Sequence, residues 1–300
     1  MSARPEPIVI GNGTVTAAMS PFGAELVSLT DASGAEWMHD GDSRWWSGRA
    51  PLLFPNVGAL ADNRLRHGGR DYGMEKHGFA RRSLFAVDAV AADSVRFTLT
   101  DSDATRALYP FMFRLDVDFR VAGTTLHTIA TVSNNGDEPL PFSFGYHPAF
   151  VWPLPGGGAK GDHRLTFDKP EDAPIRAIVP ATGLMLPDPL PSPLTDGRSF
   201  APDATHFAGD ALIWDRLNSR SLTWGVPGGT LLRVGFPDMA MLGLWQVPGA
   251  PYLCIEPWAG HADPVGYDGD FVDKPGVTIL PPGESCAYRM DLTLMTEVSE

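Results

Sequence analysis

Three short segments hold the residues whose types and spacing could do chemistry. Lys76-His77-Gly78-Phe79-Ala80-Arg81 carries a histidine between two cations, and Phe142 to Phe150 sets His147 among four aromatic rings. Tyr252-Leu253-Cys254-Ile255-Glu256-Pro257-Trp258-Ala259-Gly260 is an apolar, strand-like run interrupted by one carboxylate. A carboxylate between Ile255 and Pro257-Trp258 is desolvated, which costs several kcal/mol unless it is partnered. Desolvation also raises its pKa from about 4.3 toward a value useful to a general base. Two histidines and one carboxylate suffice for acid–base chemistry at a hydroxyl, with no metal and no cofactor. Taken singly, His147 fits a satisfied buried histidine as well as a functional one. Trp45, Trp46, Trp152, Trp245 and Trp258 could stack on the apolar face of a sugar ring, although most such residues in β-sandwiches are core.

Simpler chemistries fail on spacing. Gly156-Gly157-Gly158-Ala159-Lys160 lacks the spacing of a phosphate loop and is followed by no amphipathic helix, so it reads as a glycine-rich loop. His39, His67, His127, His163, His206 and His261 show no metal-ligand spacing, which predicts no zinc site. No Gly-x-Ser-x-Gly elbow is present for a hydrolase serine.

The elements that must position these residues are strands. Val95, Phe97 and Leu99 alternate with polar neighbours. So do Phe113 to Val121 and Tyr288 to Leu294, the pattern of strands with one buried face. Turn signals separate them, among them Asn134-Asn135-Gly136-Asp137 and Pro281-Pro282-Gly283. The 32 glycines and 28 prolines are one residue in five, which argues against long helices. One short helix is predicted from about Asp103 to Leu108, stopping before Pro110. The fold class is therefore all-β, a mainly antiparallel β-sandwich over a single domain, residues 1–300. Pro180 to Pro202, rich in proline, reads as an extended surface connection.

Charge and cysteine usage narrow the partners. A net charge of −13 disfavours broad attraction to nucleic acid or anionic membrane, while leaving room for one local basic pocket. No apolar run approaches the roughly 20 residues that span a bilayer. Met1 to Pro7 lacks the features of a secretory signal, so a cytoplasmic location is expected. Cys254 and Cys286 are expected as reduced, buried thiols.

Together the segments resemble the aldose 1-epimerase (galactose mutarotase) family, and most of all its LacX-like branch. The resemblance runs from Ala24-Glu25-Leu26-Val27-Ser28-Leu29 to Leu280-Pro281-Pro282-Gly283-Glu284. Its most specific pieces are Pro51 to Gly58, Lys76 to Arg81, Gly145 to Phe150 and Cys254 to Trp258. It implies a large galactose mutarotase-like sandwich with a sugar cleft on one sheet, and a monosaccharide as substrate. By the same resemblance, Glu256 is the general base and His147 the general acid at the ring oxygen. This chain has Tyr146-His147-Pro148 where the better-known mutarotases have an Asn-His pair. His77 then matches the second active-site histidine and Arg64 an arginine on sugar hydroxyls. Asp215 matches the substrate-binding aspartate, with Asp238 as a rival. No cofactor is implied, and either a monomer or a homodimer is compatible. Two other readings remain open. One is a hexose-6-phosphate epimerase using the cluster Arg66, Arg70, Arg81 and Arg82. The other is a non-catalytic carbohydrate-binding or sensor protein on the same scaffold.

Overall fold

The computed structural model describes residues 5–295. Met1 to Arg4, part of the segment read for a signal, lie outside the described residues. The alternating stretches become adjacent strands of one antiparallel nine-stranded sheet. In order across it run Ser199–Phe200, Arg164–Phe167, Ser221–Gly225, Leu231–Gly235, Ser285–Met295, Thr125–Asn134, Phe113–Ala122, Ser94–Thr100 and Ala86–Val90. Along Phe113–Ala122 the odd-numbered residues from Phe113 to Val121 are buried and the intervening residues are not. This is what period-two alternation predicts for a sheet covered on one face.

The buried face packs against a second sheet ordered Leu212–Trp214, Met241–Trp245, Tyr252–Ala259, Phe144–Tyr146 and Leu52–Leu53, with Ala149–Val151 also paired to Tyr252–Ala259. A third, three-stranded sheet is built from Ile8–Gly11, Val15–Ser20 and Glu25–Asp31. The all-β expectation therefore holds. The helix after Asp103 is one turn, Asp103–Arg106, with the Ser102 side chain accepting from the Thr105 backbone N–H as N-cap. Among the described residues no helix is long and apolar enough to cross a membrane. Both cysteines are free thiols, Cys254 buried and Cys286 partly so.

The second sheet positions the chemistry. In Tyr252–Ala259 the odd residues Leu253 and Ile255 enter the main core, to which Phe142, Phe150 and Leu244 also belong. The even residues Tyr252, Cys254, Glu256 and Trp258 therefore share the opposite face. Phe144–Tyr146 is pinned to the large sheet by Tyr146. Its hydroxyl donates to the Tyr288 carbonyl at 2.8 Å and accepts from the Ala130 N–H at 3.1 Å. His147, the next residue, inherits that fixed position.

Pro180 to Pro202 departs from its expected role. Much of it is extended, but Met185 is buried and its N–H donates to the Asp263 carbonyl, so the segment folds back over the second sheet. The loop carrying His77 is held as firmly. His77 and Gly78 both have positive φ, and the N–H groups of Phe79 and Ala80 donate to the Phe54 carbonyl. A Cβ on Gly78 would lie inside van der Waals contact of the Phe54 backbone. Gly78→Ala is therefore expected to lower stability by about 3 kcal/mol, through backbone strain plus a clash that only main-chain movement relieves. A urea midpoint equal to that of the parent protein would show that the loop yields freely.

Candidate active site

A cavity of about 330 Å³ opens on the second sheet, and the three chemistry-bearing segments meet in it. Its lining includes His77, His147, Glu256, Lys76, Arg81 and Asp210, with Trp46, Trp245 and Trp258 as aromatic walls. His147 Nε2 stands 3.2 Å from Glu256 Oε2, and both side chains are buried. The His77 ring lies edge-on to His147 at 5.7 Å between centroids. The Trp46 ring lies tilted against His147 at 4.8 Å, and Trp245 meets it edge-on at 5.9 Å.

Burial sets the protonation states. It holds the His147 imidazolium down to a pKa of about 3, and the nearby Lys76 and Arg81 charges push the same way. His77 is also held well below the usual imidazole value, first by burial and then by the neighbouring His147, Lys76 and Arg81. Its Nδ1 accepts from the Gly58 N–H at 3.1 Å, so the neutral ring carries its proton on Nε2. Burial pushes the Glu256 carboxyl well above the ordinary carboxylate range; Lys76 opposes that shift and Asp210 adds to it. Burial thus favours a neutral imidazole 3.2 Å from a neutral carboxyl.

Trp258 makes the floor. Its indole lies across two glycines: a Cβ on Gly145 would come within 2.5 Å of its Cδ1, and one on Gly243 within 2.5 Å of its far ring edge. Only residues without a side chain let this ring lie flat against the sheet beside Glu256. Trp46, Trp245 and Trp258 line the cavity as the stacking reading requires. Trp152 packs edge-on against Trp224 in the core, and Trp45 is exposed away from the cavity.

Two sequence assignments are corrected here. Arg64 is not in the cavity. It lies on the hairpin Arg64–His67 and Arg70–Gly73, where alternation sends Leu65 into the core and Arg64 outward to an ion pair with Asp71 at 2.8 Å. Asp215 is also outside: the strand ends at Trp214, and Asp215 turns to Arg176 Nε at 2.7 Å. The rival Asp238 accepts from the Arg289 backbone N–H and does not reach the cavity either. The acid that lines the cavity is Asp210, held in a positive-φ turn just before Leu212–Trp214. Its signal in sequence is Gly209-Asp210 ahead of an apolar strand.

Of the four arginines considered for an anion pocket, Arg81 alone lines the cavity. Arg66 pairs with Asp62 and Arg82 with Glu75. Arg81 donates to the Lys76 carbonyl at 2.9 Å, and its Nε is buried without a partner among the described residues. No ion pair engages the Lys76 ammonium among the described residues. Ile178 and Gly183 close one wall.

Comparison with known proteins decides the class. The model of the family described as aldose 1-epimerase matches residues 6–293. The chain belongs to the aldose 1-epimerase family. Its members are carbohydrate isomerases, and this chain is an enzyme of that kind. It is 31% identical to the chromosomal LacX protein of Lactococcus lactis subsp. lactis, over 96% of this chain and 99% of the relative. Among solved structures, a galactose mutarotase related enzyme from Lactobacillus acidophilus superposes with a TM-score of 0.89 at 29% identity, covering 98% of this chain and 99% of the other. A galactose mutarotase-like protein from Lactobacillus casei gives 0.89 at 28% identity, covering 96% and 100%. The aldose 1-epimerase fold thus extends over the whole described sandwich, and the cavity lies on its second sheet.

Proposed function

We propose that this aldose 1-epimerase interconverts the α and β anomers of a hexose, with Glu256 as general base and His147 as general acid. The observation that carries the reading is the 3.2 Å contact between His147 Nε2 and Glu256 Oε2 in an aromatic-walled cavity. Moving the carboxyl proton from Glu256 to His147 gives the reactive form, carboxylate beside imidazolium. Glu256 then takes the proton of the anomeric hydroxyl while His147 gives its proton to the ring oxygen, and the C1–O5 bond breaks. The open-chain aldehyde is neutral, and the pair has returned to the neutral form that burial favours. Rotation about C1–C2 exposes the other carbonyl face, and the same transfers in reverse close the ring. His77, with its proton on Nε2, donates to a sugar oxygen, and Asp210 accepts from a hydroxyl. The aromatic walls cover the apolar ring faces. Each proton-transfer group contributes about 10²–10⁴-fold, in addition to orientation.

The pH profile follows from the single proton that the pair exchanges. Inactivation in acid requires a second proton on the pair, which the His147 pKa of about 3 resists. Inactivation in base requires removing the only proton, which the raised Glu256 pKa resists. The expected kcat/KM is therefore flat as pH falls through 6.5, the ordinary histidine value, and declines on the alkaline side of the carboxyl's raised pKa. A loss of activity centred near pH 6.5 would contradict a buried neutral His147.

A second reading is favoured by one specific feature. Lys76 and Arg81 bring two cations to the cavity, and among the described residues neither is in an ion pair with a carboxylate, a setting for a phosphate on the sugar. Polarimetry on freshly dissolved α-D-glucose, α-D-galactose and glucose 6-phosphate separates the two. Faster equilibration of the free sugars supports a neutral hexose, and acceleration of the phosphate ester alone supports the second reading. Saturable sugar binding by calorimetry without any rate change would make the protein a sensor.

A further inference from the structure

We propose that His147, Cys254 and Glu256 form a binding site for a thiophilic divalent cation of the zinc type, and that occupancy switches the catalytic pair off. Histidine spacing gives no hint of such a site, because its ligands come from two segments more than a hundred residues apart. Cys254 and Glu256 are two apart on one strand and so project to the same face. His147 precedes Ala149, which pairs with Cys254 in the adjoining strand. A ring nitrogen of His147, Cys254 Sγ and a Glu256 oxygen all lie within 4.8 Å of one another, and all three residues are buried.

The geometry is close to that of a tetrahedral ion. Zinc–nitrogen and zinc–oxygen bonds of about 2.0–2.2 Å place two such ligands roughly 3.4 Å apart. The observed His147–Glu256 separation is 3.2 Å. With a zinc–sulfur bond of about 2.3 Å, the thiol needs a shift of about 1.3 Å at most to complete the set. No hydrogen bond holds that thiol in its present place among the described residues, where Ala149, Ala250 and Tyr252 pack around it. His147 and Glu256 face the cavity, so the fourth position is open to water, as in three-ligand zinc sites.

The donor set selects the metal. Nitrogen, sulfur and one carboxylate oxygen suit zinc, cobalt(II) or copper and not magnesium or calcium. Binding releases the thiol proton, and the carboxyl proton when Glu256 is neutral; nothing is oxidised or reduced. Two ligand charges then offset the dication beside Lys76 and Arg81. Among the described residues no side chain or neighbouring carbonyl is within hydrogen-bond geometry of His147 Nδ1 to raise the ring's basicity, which keeps the affinity below that of structural zinc sites. The cation inhibits because it occupies the two atoms that must exchange protons with the sugar. That consequence rests on the acid–base reading above; the site itself does not.

The test uses the full chain, stripped with a chelator and titrated anaerobically with cobalt(II). The expected result is a thiolate-to-cobalt absorption band saturating at one equivalent, lost in Cys254→Ser and in Cys254→Ala, and kept in Cys286→Ser. In parallel, zinc inhibition is read by polarimetry against each protein's own metal-free rate. The half-inhibiting zinc concentration is expected to rise at least about tenfold in Cys254→Ser, magnesium is expected to have no effect, and a chelator to restore the rate. Absence of the band in the parent protein, or an equal band in Cys254→Ser, overturns the site. Equal zinc sensitivity in both proteins overturns the switch. If no sugar is turned over at all, the proposed function falls, and the cobalt spectrum still decides the site.

Discussion

Glu256→Gln is expected to lower kcat for anomer interconversion by about 10²–10⁴-fold, with little change in KM. Glutamine keeps the shape of the side chain and its capacity to accept from a sugar hydroxyl, but it cannot take the anomeric proton. The position is buried and the Glu256 carboxyl is already held toward its neutral form. Replacing it with a neutral amide therefore removes a costly ionisable group without opening a cavity. Thermal unfolding of the variant should match that of the parent, so that lost activity reports chemistry and not folding. A Gln variant with full activity would assign the base to another residue.

His147→Asn is expected to cost a similar factor and to change the shape of the pH profile as well. With Glu256 alone remaining, residual activity needs only the carboxylate, so it should rise with pH through the raised carboxyl pKa. The parent enzyme should decline there. The double variant should be little worse than either single one, because the pair acts on one proton-transfer step as a unit. Strictly additive losses in the double variant would mean that the two groups act independently.

Much of the fold was legible because period-two alternation is a local signal. Phe113 to Val121 names its own buried face, and the strand bearing it lies where that face meets the second sheet. Glu256 and His147 stood out for a related reason: a single ionisable group in an apolar segment is conspicuous. The distance between them was not legible, since it depends on the pairing of Gly145 with Trp258 across strands more than a hundred residues apart. Arg64 was misread because a short motif does not state which way its hairpin faces, and alternation there sends Leu65 inward instead. Asp210, Ile178 and Gly183 were missed because they lie in or beside irregular segments with no period. They reach the cavity through long-range backbone bonds such as Arg176 with Ile213 and Met185 with Asp263.

The proposed mechanism breaks one carbon–oxygen bond, C1–O5, and leaves every carbon-bound hydrogen in place. Exchange between the α and β anomeric protons of a hexose at equilibrium, followed by NMR in heavy water, reads both features at once. The expected result is exchange at a rate proportional to enzyme concentration, with no loss of the C1 or C2 proton signals to deuterium. Exchange no faster than in buffer, on free and phosphorylated hexoses alike, would contradict it, and so would deuterium appearing at C2.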